Sequence, residues 1–202
     1  DRVWLFHSPQ DSVVAPAVGD AAARFYEAFL ADGDLRRVHD VPAAHGWPTR
    51  ATGASCDETG GDFINACGFD AAGELLRHLY GDLRPPSPAD PGGSESGGTL
   101  IALDLAPWLA PGSGMAQEGF AFVPRGCATP TDCRLHISFH GCQQQAERLE
   151  ARFARGVGLN EWAAANDIVV LYPQISRSLM NPQGCWDWWG YTGDAYDQRA
   201  GR

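Results

Sequence analysis

The run DIVVLYPQ at residues 167–174 constrains the fold more than any other stretch. Ile168, Val169, Val170, Leu171 and Tyr172 follow one another with no polar alternation, so a strand here has to be covered on both faces. Such a strand belongs to a layered α/β arrangement. The rest of the chain supplies the layers. Apolar runs read as strands at residues 3–7, 35–41, 99–105, 119–124 and 134–141. Ala22, Phe25, Phe29 and Leu30 recur at helical spacing within 18–31 and predict an amphipathic helix. Asp70 is placed to N-cap a second helix that stops at Gly81. A third is expected from about 143 to 165, interrupted by Gly156 and Gly158. The expectation is an α/β fold with a mainly parallel sheet and helices on both faces.

Residues 82–98, DLRPPSPADPGGSESGG, are turn-formers throughout and read as a loop or linker. They separate a segment 1–81 from a segment 99–202 inside a chain of 202 residues, a length that suits one domain with a real core. The net charge of -10 argues against a nucleic-acid partner. No apolar run is long enough to span a bilayer, so no membrane partner is expected, and a monomer is.

Six cysteines, Cys56, Cys67, Cys127, Cys133, Cys142 and Cys185, suit three disulfides and an oxidising compartment. Neighbour logic pairs Cys56 with Cys67, Cys127 with Cys133 and Cys142 with Cys185. Zinc is the rival, although no Cys-x-x-Cys occurs.

Chemistry in open α/β sheets gathers beyond the carboxyl ends of strands. Asp11 lies in a tight turn after the first strand and His45 in a Pro-bounded loop after the next. A carboxylate there can fix the tautomer of an imidazole, whereas the plain alternative is a turn cap and a loop histidine. A third strand runs into His140-Gly141-Cys142. Glycine lets the backbone approach a ligand, and the N–H groups that follow can form an oxyanion hole. The alternatives are a simple strand-to-helix turn, or Cys142 itself as a nucleophile. No serine elbow of the form Gly-x-Ser-x-Gly is found. Ser94 and Ser96 sit in the linker, and Ser113 has no strand before it. Either the nucleophile lies outside this chain or the chain is no enzyme. Trp186, Trp188, Trp189 and Tyr191 crowd one loop, which suits stacking on an apolar or sugar-like chain, or a loop packed on itself.

Taken together, HGCQQ at 140–144, YPQ at 172–174 with NPQGCWDWWGYTGD at 181–194, AAHGWPT at 43–49 and CDETGGDFINACGFDAAGELLRHLYG at 56–81 resemble the extracellular poly(3-hydroxybutyrate) depolymerases. The resemblance is to the permuted type, whose serine box comes first and oxyanion segment last. It implies a secreted serine esterase of the α/β-hydrolase fold that cleaves polyester bonds without metal or organic cofactor. By the same resemblance Asp11 is the triad acid and His45 the base. The Cys142 N–H completes the oxyanion hole, with its sulfur paired to Cys185. Trp186, Trp188, Trp189 and Tyr191 belong to the polymer cleft. The serine would lie upstream of Asp1, leaving the α/β-hydrolase fold circularly permuted and incomplete in this chain, and the chain inactive alone. Two alternatives stand beside this: a feruloyl or acetyl esterase acting on plant polysaccharide, and a non-catalytic polymer-binding module.

Overall fold

The computed structural model describes residues 1–87, 97–129, 132–194 and 196. In chain order the elements are β1 (Val3–Phe6), α1 (Pro16–Glu27), β2 (Leu35–Val38), β3 (Trp47–Thr49), β4 (Ala54–Ser55), β5 (Ile64–Ala66), α2 (Ala71–Tyr80), β6 (Gly98–Asp104), β7 (Glu118–Pro124), β8 (Arg134–Ile137), α3 (Ala146–Leu149), α4 (Arg152–Gly156), α5 (Leu159–Asn166) and β9 (Ile168–Tyr172). Most of the 82–98 loop, with Ser94 and Ser96, lies outside the described residues.

The strands form mixed sheets. β1 and β2 pair in parallel, β5 lies between β3 and β4 in parallel, and a four-stranded sheet runs β6-β7-β9-β8. The last is parallel only at β8–β9; β6–β7 and β7–β9 are antiparallel. Four of the six strand pairings are thus parallel, as expected, and the antiparallel ones are confined to the four-stranded sheet. A parallel return needs a crossover, usually helical, and the chain between β6 and β7 holds only a 3-10 turn at Ala106–Trp108. β7 therefore folds straight back along β6, from Gly98↔Pro124 to Asp104↔Glu118.

The apolar run at 167–174 behaves as its composition requires. Ile168, Val170 and Tyr172 are fully buried on one face of β9 and join a core with Phe122, Leu76, Phe153, Val157, Leu159 and Trp162. Each side chain of this size contributes roughly 1.5–3 kcal/mol when fully buried. Asp70 caps α2 by accepting from the Gly73 N–H at 2.9 Å, and Gly81 ends it at φ 87°. The capping carboxylate also accepts from the Trp162 indole at 3.1 Å. A side chain at Gly73 would strike that indole, so α2 and α5 approach through a glycine.

Two helical expectations need correction. The apolar face predicted for α1 is out of phase. Phe25 and Phe29 are 60% and 74% exposed, while Gly19 and Ala23 are buried. The reason is steric: the ring of His7 fills the space where a Cβ on Gly19 would sit, so only small residues fit against β1. The helix expected over 143–165 is three short ones. Glu150 at φ 51° and Gly158 at φ 78° break it, because neither conformation continues an α-helix.

Candidate active site

The strand ends of β1 and β8 and the entry to β3 border one cavity of about 840 Å³. Asp11 follows β1. Its Oδ1 accepts from the N–H groups of Val13 (2.9 Å) and Val14 (2.8 Å), the self-closing turn that short carboxylates favour. This leaves Oδ2, which accepts from His45 Nδ1 at 2.8 Å. Burial by itself pushes the Asp11 carboxyl up; the His45 hydrogen bond, then those from Val14 and Val13, more than offset it and hold the group below its usual value. The Asp11 side chain is 11% exposed and that of His45 37%. With Nδ1 committed to Asp11, Nε2 is the His45 nitrogen left for the cavity, and it makes no hydrogen bond among the described residues.

Ser8 joins the two loops and was not singled out by sequence. It is 2% exposed, donates to the Ala43 carbonyl at 2.5 Å, and accepts from the N–H groups of Ala43 (2.9 Å) and Gln10 (3.0 Å). Ala44 in turn donates to the Cys56 carbonyl at 2.7 Å, and Cys56 is bonded to Cys67. The segment leading into His45 is thus pinned from both sides. Ser8 stands three residues before Asp11 in a Ser-Pro-Gln-Asp turn, a local signal for side-chain-to-backbone bonding.

Across the cavity lies the turn 141–144. Gly141 N–H donates to Gln144 Oε1 at 2.7 Å, Gln143 N–H to the Gln183 carbonyl at 2.7 Å, and Gln144 N–H to the Gly141 carbonyl at 3.2 Å. Only the Cys142 N–H in this turn makes no hydrogen bond among the described residues, and Cys142 lines the cavity. The three disulfides are Cys56–Cys67, Cys127–Cys133 and Cys142–Cys185. Cys142 therefore offers no thiolate for attack, and none of the six offers one to zinc. His140 is 2% exposed; its Nδ1 donates to the Gly141 carbonyl at 2.7 Å and its Nε2 accepts from the Ile175 N–H at 3.2 Å. Burial lowers its pKa, against a smaller upward push from the Gly141 bond.

The four aromatic candidates differ in placement, although Trp188 and Trp189 touch edge to face, ring centroids 5.2 Å apart. Trp188, 73% exposed, lines the cavity, whereas Trp189 and Tyr191 stand outside its wall and pack on each other, ring centroids 4.9 Å apart. Trp186 is partly buried and packs against Phe139 and His140, the residues that lead into the 141–144 turn. Their loop is organised by Asp187, which sequence reading also missed. One carboxylate oxygen accepts from Gly190 and Tyr191 N–H, the other from Thr192 N–H and its hydroxyl. An aspartate three residues before a glycine is the signal for such a turn.

Among the described residues no serine hydroxyl bonds His45, no cluster of His, Cys, Asp and Glu is arranged to hold a metal, and no helix is long and apolar enough to cross a membrane.

No protein-family model matches the chain. It is 36% identical over 202 residues to a poly(3-hydroxybutyrate) depolymerase of Delftia acidovorans, covering 99% of this chain and 40% of that protein. It is 32% identical to a polyhydroxybutyrate depolymerase of Talaromyces funiculosus, covering 99% and 62%. The crystal structure of PHB depolymerase from Penicillium funiculosum matches with a TM-score of 0.88 and 29% identity, over 99% of this chain and 66% of that one. A PHB depolymerase with a serine-to-alanine substitution, complexed with an R3HB trimer, matches equally well. The chain spans 40% to 66% of the length of these proteins. Along 99% of its own length the chain is similar to the poly(3-hydroxybutyrate) depolymerases, the resemblance its motifs carry.

Proposed function

We propose that this chain forms most of the catalytic domain of a secreted serine esterase that hydrolyses poly(3-hydroxybutyrate) or its oligomers. The observation that carries this reading is the Asp11–His45 pair at 2.8 Å, set across one cavity from the unspent N–H of Cys142. A serine supplied from outside this chain attacks the ester carbonyl and gives its proton to His45 Nε2. Asp11 holds the ring and balances its charge. The tetrahedral oxyanion takes a hydrogen bond from the Cys142 N–H; one such donor is typically worth about 3–4 kcal/mol of barrier. His45 then protonates the leaving alcohol. Water, deprotonated by the same imidazole, releases the acyl group from the serine.

The strand edges support a serine from outside. β1 and β8 are outer strands of their sheets, and Phe6, His7, Ser138 and Phe139 at their ends all line the cavity. Leu135 and Ile137 of β8 are 57% and 45% exposed. A further strand laid between these edges would carry its end into the cavity, beside His45 and Cys142. In this order the acid and base precede the oxyanion strand, as a circular permutation of an α/β-hydrolase would give. Trp188 at the cavity wall suits an apolar polyester, and three disulfides suit an oxidising, extracellular setting.

The test compares two proteins. The 202-residue chain alone should leave a short-chain nitrophenyl ester at its background rate, while a longer protein that includes the segment before Asp1 should hydrolyse both that ester and polyhydroxybutyrate granules. Turnover by the chain alone, or a longer protein that binds granules without cleaving them, would overturn the reading.

A further inference from the structure

We infer that Gln144 is a positioning residue for the oxyanion turn: its carboxamide withdraws the Gly141 N–H from the cavity, leaves the Cys142 N–H as the donor presented there, and fixes the turn to the loop beside His45. The inference deepens the esterase reading and rests on it for the role of the Cys142 N–H.

Gln144 is 5% exposed, and its carboxamide is fully committed. Oε1 accepts from the Gly141 N–H at 2.7 Å, while Nε2 donates to the carbonyls of Asp62 at 2.8 Å and Phe63 at 3.2 Å. A Cβ on Gly141 would lie 2.9 Å from that Oε1, so the glycine is what lets the carboxamide reach the main chain. Were Gly141 N–H free, the turn would carry two adjacent donors and could rotate to offer either. The bond removes that choice.

The other end of the clamp reaches the base. The Phe63 carbonyl that accepts from Gln144 also accepts from the Trp47 N–H at 2.8 Å, two residues beyond His45. The Phe63 ring stands edge-on to the imidazole, centroids 6.0 Å apart. The loop carrying these carbonyls has positive φ at Gly60, Gly61 and Phe63, conformations with little intrinsic preference of their own. It is held from outside, by side chains spaced four apart. Gln144 takes Asp62 and Phe63, Arg148 donates to the Gly61 carbonyl at 3.3 Å, and Arg152 grips the Asp62 carboxylate at 2.9 and 3.0 Å. The two arginine contacts are exposed and contribute little alone, whereas the Gln144 side chain is buried and its contacts are partly so. Its loss should therefore shift the donor relative to the base, an error of a kind that can cost about 100-fold in rate for about 1 Å.

In the longer enzyme, Gln144→Ala should lower kcat roughly 10- to 100-fold, part of the 10²–10³ that a lost oxyanion donor costs, with KM within about twofold. Gln144→Glu supplies the second readout. Only a protonated glutamic acid both donates to a carbonyl and accepts from Gly141, so activity relative to wild type should rise as pH falls. A rise in KM with kcat unchanged, or a ratio independent of pH, overturns the inference. Amide exchange in the 202-residue chain decides it even where no ester is turned over. Gly141 should exchange slowly in the wild type and fast in Gln144→Ala, with Cys142 fast in both. Equal rates for Gly141 and Cys142 in the wild type would also overturn it.

Discussion

At the scale of single residues, the distinction that matters is between a side chain and its own backbone. Cys142 reads in sequence as a reactive group, yet its sulfur is bonded to Cys185, and among the described residues its N–H alone is unspent in the turn. The two parts can be separated. Replacing Cys142 and Cys185 together by alanine should cost about 2–4 kcal/mol of stability in denaturant unfolding, the usual range for a bridge closing a loop of this size. In the longer enzyme kcat should stay within a few-fold, because the main-chain donor remains. A loss of 100-fold or more in a folded double variant would mean that the bridge itself places the donor. That Asp11 and His45 could meet was legible, because strand-end position is written in the local pattern. Ser8 and Gln144 were not, since their partners Ala43, Asp62 and Phe63 lie tens of residues away and only the folded chain brings them within reach.

At the scale of elements, hydrophobic pattern located the longer strands well and their partners poorly. β6, β7 and β9 stand where apolar runs predict them, but pairing direction depends on what connects them, and that is antiparallel at β6–β7 and β7–β9. β3, β4 and β5 are two or three residues long and too short to show a period. In α1 the periodicity misled, because the face against β1 must be small rather than apolar. The aromatic loop has no regular structure and depends on Asp187. Burial raises that carboxyl, but bonds from the Thr192 hydroxyl and the N–H groups of Thr192, Gly190 and Tyr191 together outweigh it and bring it down to about 2. A carboxylate depressed on folding contributes stability that is present above its unfolded value of about 3.9 and lost as pH falls through the folded one. The fluorescence of Trp188 and Trp189 should therefore be constant from neutral pH to about 4 and change between about 4 and 2, and Asp187→Asn should already show the changed signal at pH 7. A loop signal that titrates near pH 6, or a variant identical to wild type, would remove Asp187 from this role.

At the scale of the whole molecule, two segments from opposite sides of the 82–98 loop share one core and one cavity. Ile64 and Leu76 from the first pack with Phe122, Trp162 and Ile168 from the second. Trp47 donates its indole N–H to the Val157 carbonyl at 2.9 Å, and Tyr80 its hydroxyl to the Leu135 carbonyl at 3.2 Å, two further links between the halves. The first segment carries the acid–histidine pair and the second the main-chain donor, so neither holds the site alone. In the proposed reaction His45 is the base of an ester hydrolysis at this cavity. The most direct measurement is the clearing of polyhydroxybutyrate granules by the longer protein, wild type against His45→Ala, with granule binding followed in parallel. We expect hydrolysis to fall by at least about 10³-fold, the scale on which removal of a triad member acts, with binding unchanged. Clearing at the wild-type rate by a folded His45→Ala protein would contradict it.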